Sequence, residues 1–155
     1  MGTSSSIRID AEGSAVLAAN VDLNTVASGT FVATALALSL PSAGTYHLDA
    51  TVRTFLGTMT TGEGAFIVAR LFDVTAGAVV PNSEVLALQI NVGAGTSPTL
   101  LAWNETAPIQ VRYTVPGART IRLEAARITQ TGITDGASVV SDGNGRTTLR
   151  YQRVA

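Results

Sequence analysis

The 155 residues hold one histidine and no cysteine, so the only imidazole that could serve as a general base is His47. Asp49 follows two residues on, and in an extended chain the two share a face, the spacing of a carboxylate that orients an imidazole. Hydrolysis by such a pair needs a hydroxyl nucleophile, and no Gly-x-Ser-x-Gly elbow occurs in the sequence. The sequence therefore assigns no catalytic residue, predicts a non-enzyme, and leaves His47 as a solvated or interface side chain. One imidazole without thiolates does not make a usual zinc ligand set. Asp142-Gly143-Asn144-Gly145 opens like a calcium loop but lacks the acidic ligands that should follow, and Asp-Gly and Asn-Gly steps serve tight turns without metal. No metal or cofactor is expected. Trp103, followed by Asn104 and Glu105, is the remaining candidate. An indole face beside amide and carboxylate groups suits a sugar, but packing of the ring into the core is the preferred reading.

Apolar residues make up 46% of the chain and charged residues 14%, a balance that favours folding over disorder. Ten basic residues, all arginine, face eleven acidic ones without any run of either sign, which argues against nucleic acid as a partner. The absence of lysine reads as a high-GC coding bias. The most apolar stretch, Phe31 to Leu40, is about half of the roughly 20 residues that a membrane helix needs, and Pro41 ends it. No membrane association is expected. The first residues, Met-Gly-Thr-Ser-Ser-Ser, carry neither the basic nor the apolar region of a secretory signal.

Period-two patterning supplies the elements that must hold these groups. Tyr46, Leu48, Ala50, Val52, Thr54 and Leu56 alternate with Thr45, His47, Asp49, Thr51 and Arg53, a half-buried strand. Ile109 to Val115 and Thr120 to Ala125 alternate likewise about the turn Pro116-Gly117, and Leu149 and Tyr151 alternate with Arg150 and Gln152 after the turn at 142–145. Phe31 to Leu40 is apolar on both faces, which predicts a strand covered on both sides, within the sandwich or at a subunit contact. Mobile loops are expected at 57–64 and 93–98, a long connection at 130–145, and an N-terminal arm at 1–14 preceding one domain, 15–155. No window carries a capped helical period. About nine or ten strands predict an all-β antiparallel sandwich.

Three strings add a resemblance: Pro41-Ser42-Ala43-Gly44-Thr45-Tyr46-His47-Leu48, Ala69-Arg70-Leu71-Phe72-Asp73-Val74-Thr75 with Val79-Val80-Pro81-Asn82-Ser83-Glu84, and Gly145-Arg146-Thr147-Thr148-Leu149-Arg150-Tyr151. Each is similar to a strand opening, a strand–turn–strand or a closing strand of the tumour-necrosis-factor and complement globular-head jelly rolls, in their bacterial and bacteriophage branch. The resemblance implies a jelly roll that forms a homotrimer and serves as a head or tip. It also implies a virion-surface protein, as capsid decoration, head fibre or fibre tip, whose partners are copies of itself and other virion proteins or a host-surface glycan. A carbohydrate-binding or adhesive head on a bacterial or spore surface is the alternative, and a hydrolase on a sandwich scaffold a third. Tyr113, Leu149 and Tyr151 are the expected trimer contacts, and Ile7, Arg8, Ile9 and Asp10 in the arm are expected to add as a short strand to a partner's sheet.

Overall fold

Alternating sequence becomes eleven strands in the computed structural model, which describes residues 11–59, 61–95 and 100–155 and contains no helix among them. The strands are β1 (Glu12–Val16), β2 (Val21–Asp22), β3 (Val32–Leu40), β4 (Gly44–Thr58), β5 (Gly64–Asp73), β6 (Ala78–Val79), β7 (Val85–Asn91), β8 (Leu101–Val115), β9 (Arg119–Thr131), β10 (Gly136–Val140) and β11 (Thr148–Arg153). Five antiparallel ladders nest inside one another along the sequence: β1 with β11, β2 with β10, β3 with β9, β4 with β8, and β5 with β7. That nesting describes one long hairpin. Rolling it up brings β11 beside β4 and β9 beside β5, which yields two packed sheets, the jelly-roll arrangement.

The first sheet runs β1-β11-β4-β8, with β10 and β2 extending it along the upper half of β4, and the second runs β3-β9-β5-β7 with β6 beside β5. On β4 the even positions face inward: Tyr46, Leu48, Ala50, Val52 and Leu56 are buried, while His47 is exposed. Leu36, Leu38 and Leu40 of β3 and Ile67, Ala69 and Leu71 of β5 meet them from the second sheet. Aliphatic side chains fill the interior, and Tyr46 is the aromatic within it. Its hydroxyl donates to the Ser42 carbonyl at 3.0 Å, and its ring meets that of Tyr151 edge-on, with centroids 5.6 Å apart. Gly13 lies opposite Tyr151 in the β1–β11 ladder, and a Cβ there would stand 2.4 Å from the tyrosine ring, so the aromatic covers a strand position that only glycine leaves open.

Several expectations need correction. The stretch 130–145 is not one connection, because β10 occupies its middle and buries Ala137, Val139 and Val140. Pro116-Gly117 is the expected turn, and it carries the chain from β8 of the first sheet to β9 of the second, since β8 pairs with β4 and β9 with β3 and β5. Part of the expected arm is strand: β1 starts at Glu12 and pairs residue by residue with β11. The alanine face of β3 stays open, with Ala33 and Ala35 exposed on the outside of the second sheet, so within one chain β3 is covered on its leucine side only.

Candidate functional site

Continuous register makes the outer face of the first sheet a grid. In the β1–β11, β11–β4 and β4–β8 ladders, one crosswise row reads Glu12, Gln152, His47, Arg112 and the next Ser14, Arg150, Asp49, Gln110. Directly opposed neighbours on adjacent strands bring their Cβ atoms about 5 Å apart. In the second row Asp49 Oδ2 accepts from Arg150 Nη2 at 3.2 Å and from Gln110 Nε2 at 3.5 Å. Two shallow hollows flank His47 and Asp49: one of about 570 Å³ toward Glu12 and Gln152, the other of about 310 Å³ toward Arg112 and Gln110. His47 is exposed and its imidazole hydrogen-bonds to no other described residue, so nothing aligns it with a nucleophile; Asp49 lies beside it but serves Arg150 and Gln110.

The second sheet presents a different outer face. Phe66 pairs with Ile128 and Val68 with Ala126 across β5 and β9, and Leu86, paired with Val68 across β5 and β7, is 57% exposed. Below this apolar area Arg70 and Arg122 converge on one carboxylate. Arg70 Nε and Nη2 donate to Glu124 Oε2 at 3.0 and 2.9 Å, and Arg122 Nη2 donates to Oε1 at 2.6 Å. Glu124 is only 5% exposed. The Arg70 guanidinium carbon sits 3.5 Å from the Phe31 ring centroid, and the Phe72 ring lies 5.8 Å from it and 5.6 Å from that of Arg122.

The expected sugar platform is not assembled. Trp103 and Asn104 are successive strand residues on opposite faces of β8; the ring packs half-buried against the core, while Asn104 is exposed on the outside. Glu105 shares the Trp103 face and is exposed.

The expected trimer contacts also turn inward. Leu149 is fully buried within the single chain and so reaches no second copy. Tyr151 packs on Tyr46, and the Tyr113 hydroxyl donates to Asp73 Oδ2 at 2.8 Å, tying β8 of one sheet to β5 of the other. Burial, and then the hydrogen bond to the Asp73 carboxylate, push the Tyr113 hydroxyl above its ordinary value. Ile7, Arg8, Ile9 and Asp10 lie outside the described residues.

The turn at 142–145 is held by protein groups. Arg53 Nη1 donates to Asp142 Oδ1 at 2.9 Å and to the Gly145 carbonyl at 2.6 Å, and the Asn144 amide donates to the same Oδ1 at 2.9 Å. These bonds, Arg53 foremost, hold the Asp142 carboxyl below the usual carboxylate range. Among the described residues no three His, Cys, Asp or Glu side chains gather where a metal ion would fit.

Two polar features escaped sequence reading. The Arg70–Glu124–Arg122 cluster joins residues 54 positions apart, so only the β5–β9 register reveals it. Glu63 is 1% exposed, and neither of its carboxylate oxygens has a hydrogen-bond partner among the described residues, although its Gly-Glu-Gly setting reads as an open loop.

No protein-family model matches the chain, and no curated relative matches it. Among solved structures, the chain is similar to a chain in the structure of infectious bursal disease virus Gx strain, at 15% identity and a TM-score of 0.45 over 94% of its own length. It spans 37% of the length of that viral chain.

Proposed function

We propose that the chain is a non-enzymatic structural module of a virion surface that assembles with copies of itself through the outer face of its second sheet. The observation that carries this is the contrast between the two outer faces. One carries the two polar rows, whereas the other offers Phe66, Val68, Ile128 and the 57% exposed Leu86 around an arginine–glutamate cluster. The Glu124 carboxylate on this face is already closed by two arginines, and the apolar area beside it supplies the driving force for covering it with another protein. Homotrimeric assembly and a bacteriophage origin rest on the jelly-roll resemblance and the arginine-only basic composition. In that setting the chain decorates a capsid or caps a head fibre or fibre tip, and residues 1–10 dock it to another virion protein.

An adhesive head on a bacterial surface is the second reading, favoured by the two hollows around His47. Light scattering at micromolar concentration tests the assembly. The wild type is expected at three times the chain mass, and Phe66→Glu at the mass of one chain with an unchanged circular dichroism spectrum. A monomeric wild type overturns the proposal.

A further inference from the structure

We propose that the row Glu12–Gln152–His47–Arg112 on the outer face of the first sheet binds an acidic sugar, with the sugar carboxylate on Arg112. This assignment is independent of how the chain assembles, because it uses the opposite face. The ladders fix the four residues on four successive strands. Three strand spacings separate the ends, about 14 Å, room for one or two sugar rings. None of the four side chains makes a hydrogen bond or ion pair to another described residue, and Glu12, His47, Arg112 and Gln152 are exposed. The neighbouring row is different in kind: Arg150 and Gln110 already serve Asp49. Arg112 is therefore the cation in this grid with its whole guanidinium fork still available, and a carboxylate is the group that fork pairs with bidentately.

The row also has a polarity. Glu12 stands at the end opposite Arg112 and repels a carboxylate there, while its oxygens and the Gln152 amide accept and donate to hydroxyls. A ligand acidic at one end and hydroxylated along its length fits that order, and the hollows of about 570 and 310 Å³ on either side of His47 give it a bed. The Tyr151 ring is engaged with Tyr46, so no aromatic face is offered for stacking a neutral sugar. Discrimination must therefore come from the charge. A rigid sheet holds the donors in place before binding, which limits the ordering cost.

Titration of the isotope-labelled protein with D-glucuronate, D-glucose and acetate, followed by amide chemical shifts, tests the assignment, since glucose differs from glucuronate at C6 alone. Glucuronate is expected to shift the amides of His47, Arg112 and Gln152 saturably, glucose to leave them in place, and acetate to bind at least several-fold more weakly. Arg112→Ala is expected to raise the glucuronate Kd about tenfold or more, as loss of a charge-assisted pair implies. Both variants of the row, Arg112→Ala and Gln152→Ala, should keep the wild-type thermal midpoint, because these side chains support nothing in the fold. Absence of saturable shifts with glucuronate, equal response to glucose, or acetate binding as tightly as glucuronate each overturns it.

Discussion

Replacing Glu124 with alanine removes the anion on which two guanidiniums close. Three short bonds are lost at once, two from Arg70 and one from Arg122. Glu124 is nearly inaccessible, with 7% of its side chain exposed, and breaking a buried ion pair by deleting one partner costs about 3–5 kcal/mol. The arginine side chains retain 19% and 28% exposure, so both can turn partly to water, and Phe31 and Phe72 still face their guanidinium planes. That relief brings the expected loss to about 2–3 kcal/mol, still above the value of an exposed ion pair. For a domain of this length such a loss lowers the thermal midpoint by about 5–10 °C. Urea unfolding followed by circular dichroism measures it, and a cycle with Arg70→Ala isolates the pairwise part, expected at about 1.5–3 kcal/mol. A loss below about 0.5 kcal/mol would show that the cluster behaves as an ordinary surface pair and refute its role in fixing β5 to β9.

Glu63→Gln is expected to stabilise the chain by about 1–2 kcal/mol, because a buried carboxylate without a partner gives way to an uncharged amide, and urea midpoints report the gain. Gly13→Ala drives a methyl into the Tyr151 ring and should cost about 1–3 kcal/mol, with loss of near-ultraviolet tyrosine signal as the ring leaves Tyr46. The lowered Asp142 carboxyl contributes stability that is present above its unfolded value and lost as pH falls through its folded value. Carbon-detected titration should therefore show Asp142 protonating at higher pH in Arg53→Ala than in the wild type. Deleting residues 2–10 should leave the strand spectrum and thermal midpoint intact, whereas deleting through Val16 removes the β1–β11 ladder and lowers both.

Much of the sandwich is legible because strands such as β4 and β8 keep one side toward the core and the other toward water. β4 shows this best: its even residues from Tyr46 to Val52 are apolar and buried, its odd residues from Thr45 to Arg53 are polar, and the sequence period alone orients His47 outward. β10 is hidden because its five residues bury Ala137, Val139 and Val140, which breaks the alternation, although the Asp135-Gly136 step marks its start. Leu149 and Tyr151 read as one apolar strand face, but periodicity tells which residues share a face and not whether that face meets the second sheet, as the fully buried Leu149 does, or another chain. Trp103 packs against the core, the preferred reading of a large ring in a chain poor in aromatics, while Asn104 faces the other way because a strand sends neighbours to opposite sides. The rows of the polar grid exist only through register between strands up to about 140 positions apart, such as Glu12 with Gln152, and no local pattern encodes that pairing.

The face that copies of the chain bury is tested most directly by oxidative footprinting of the wild type against the Phe66→Glu chain, read residue by residue by mass spectrometry. Assembly through the second sheet predicts that Leu86 and Ile128 are protected in the wild type and labelled in the variant, while His47 on the first sheet is labelled equally in both. Equal labelling of Leu86 and Ile128 in the two proteins, or protection of His47 in the wild type, would contradict it.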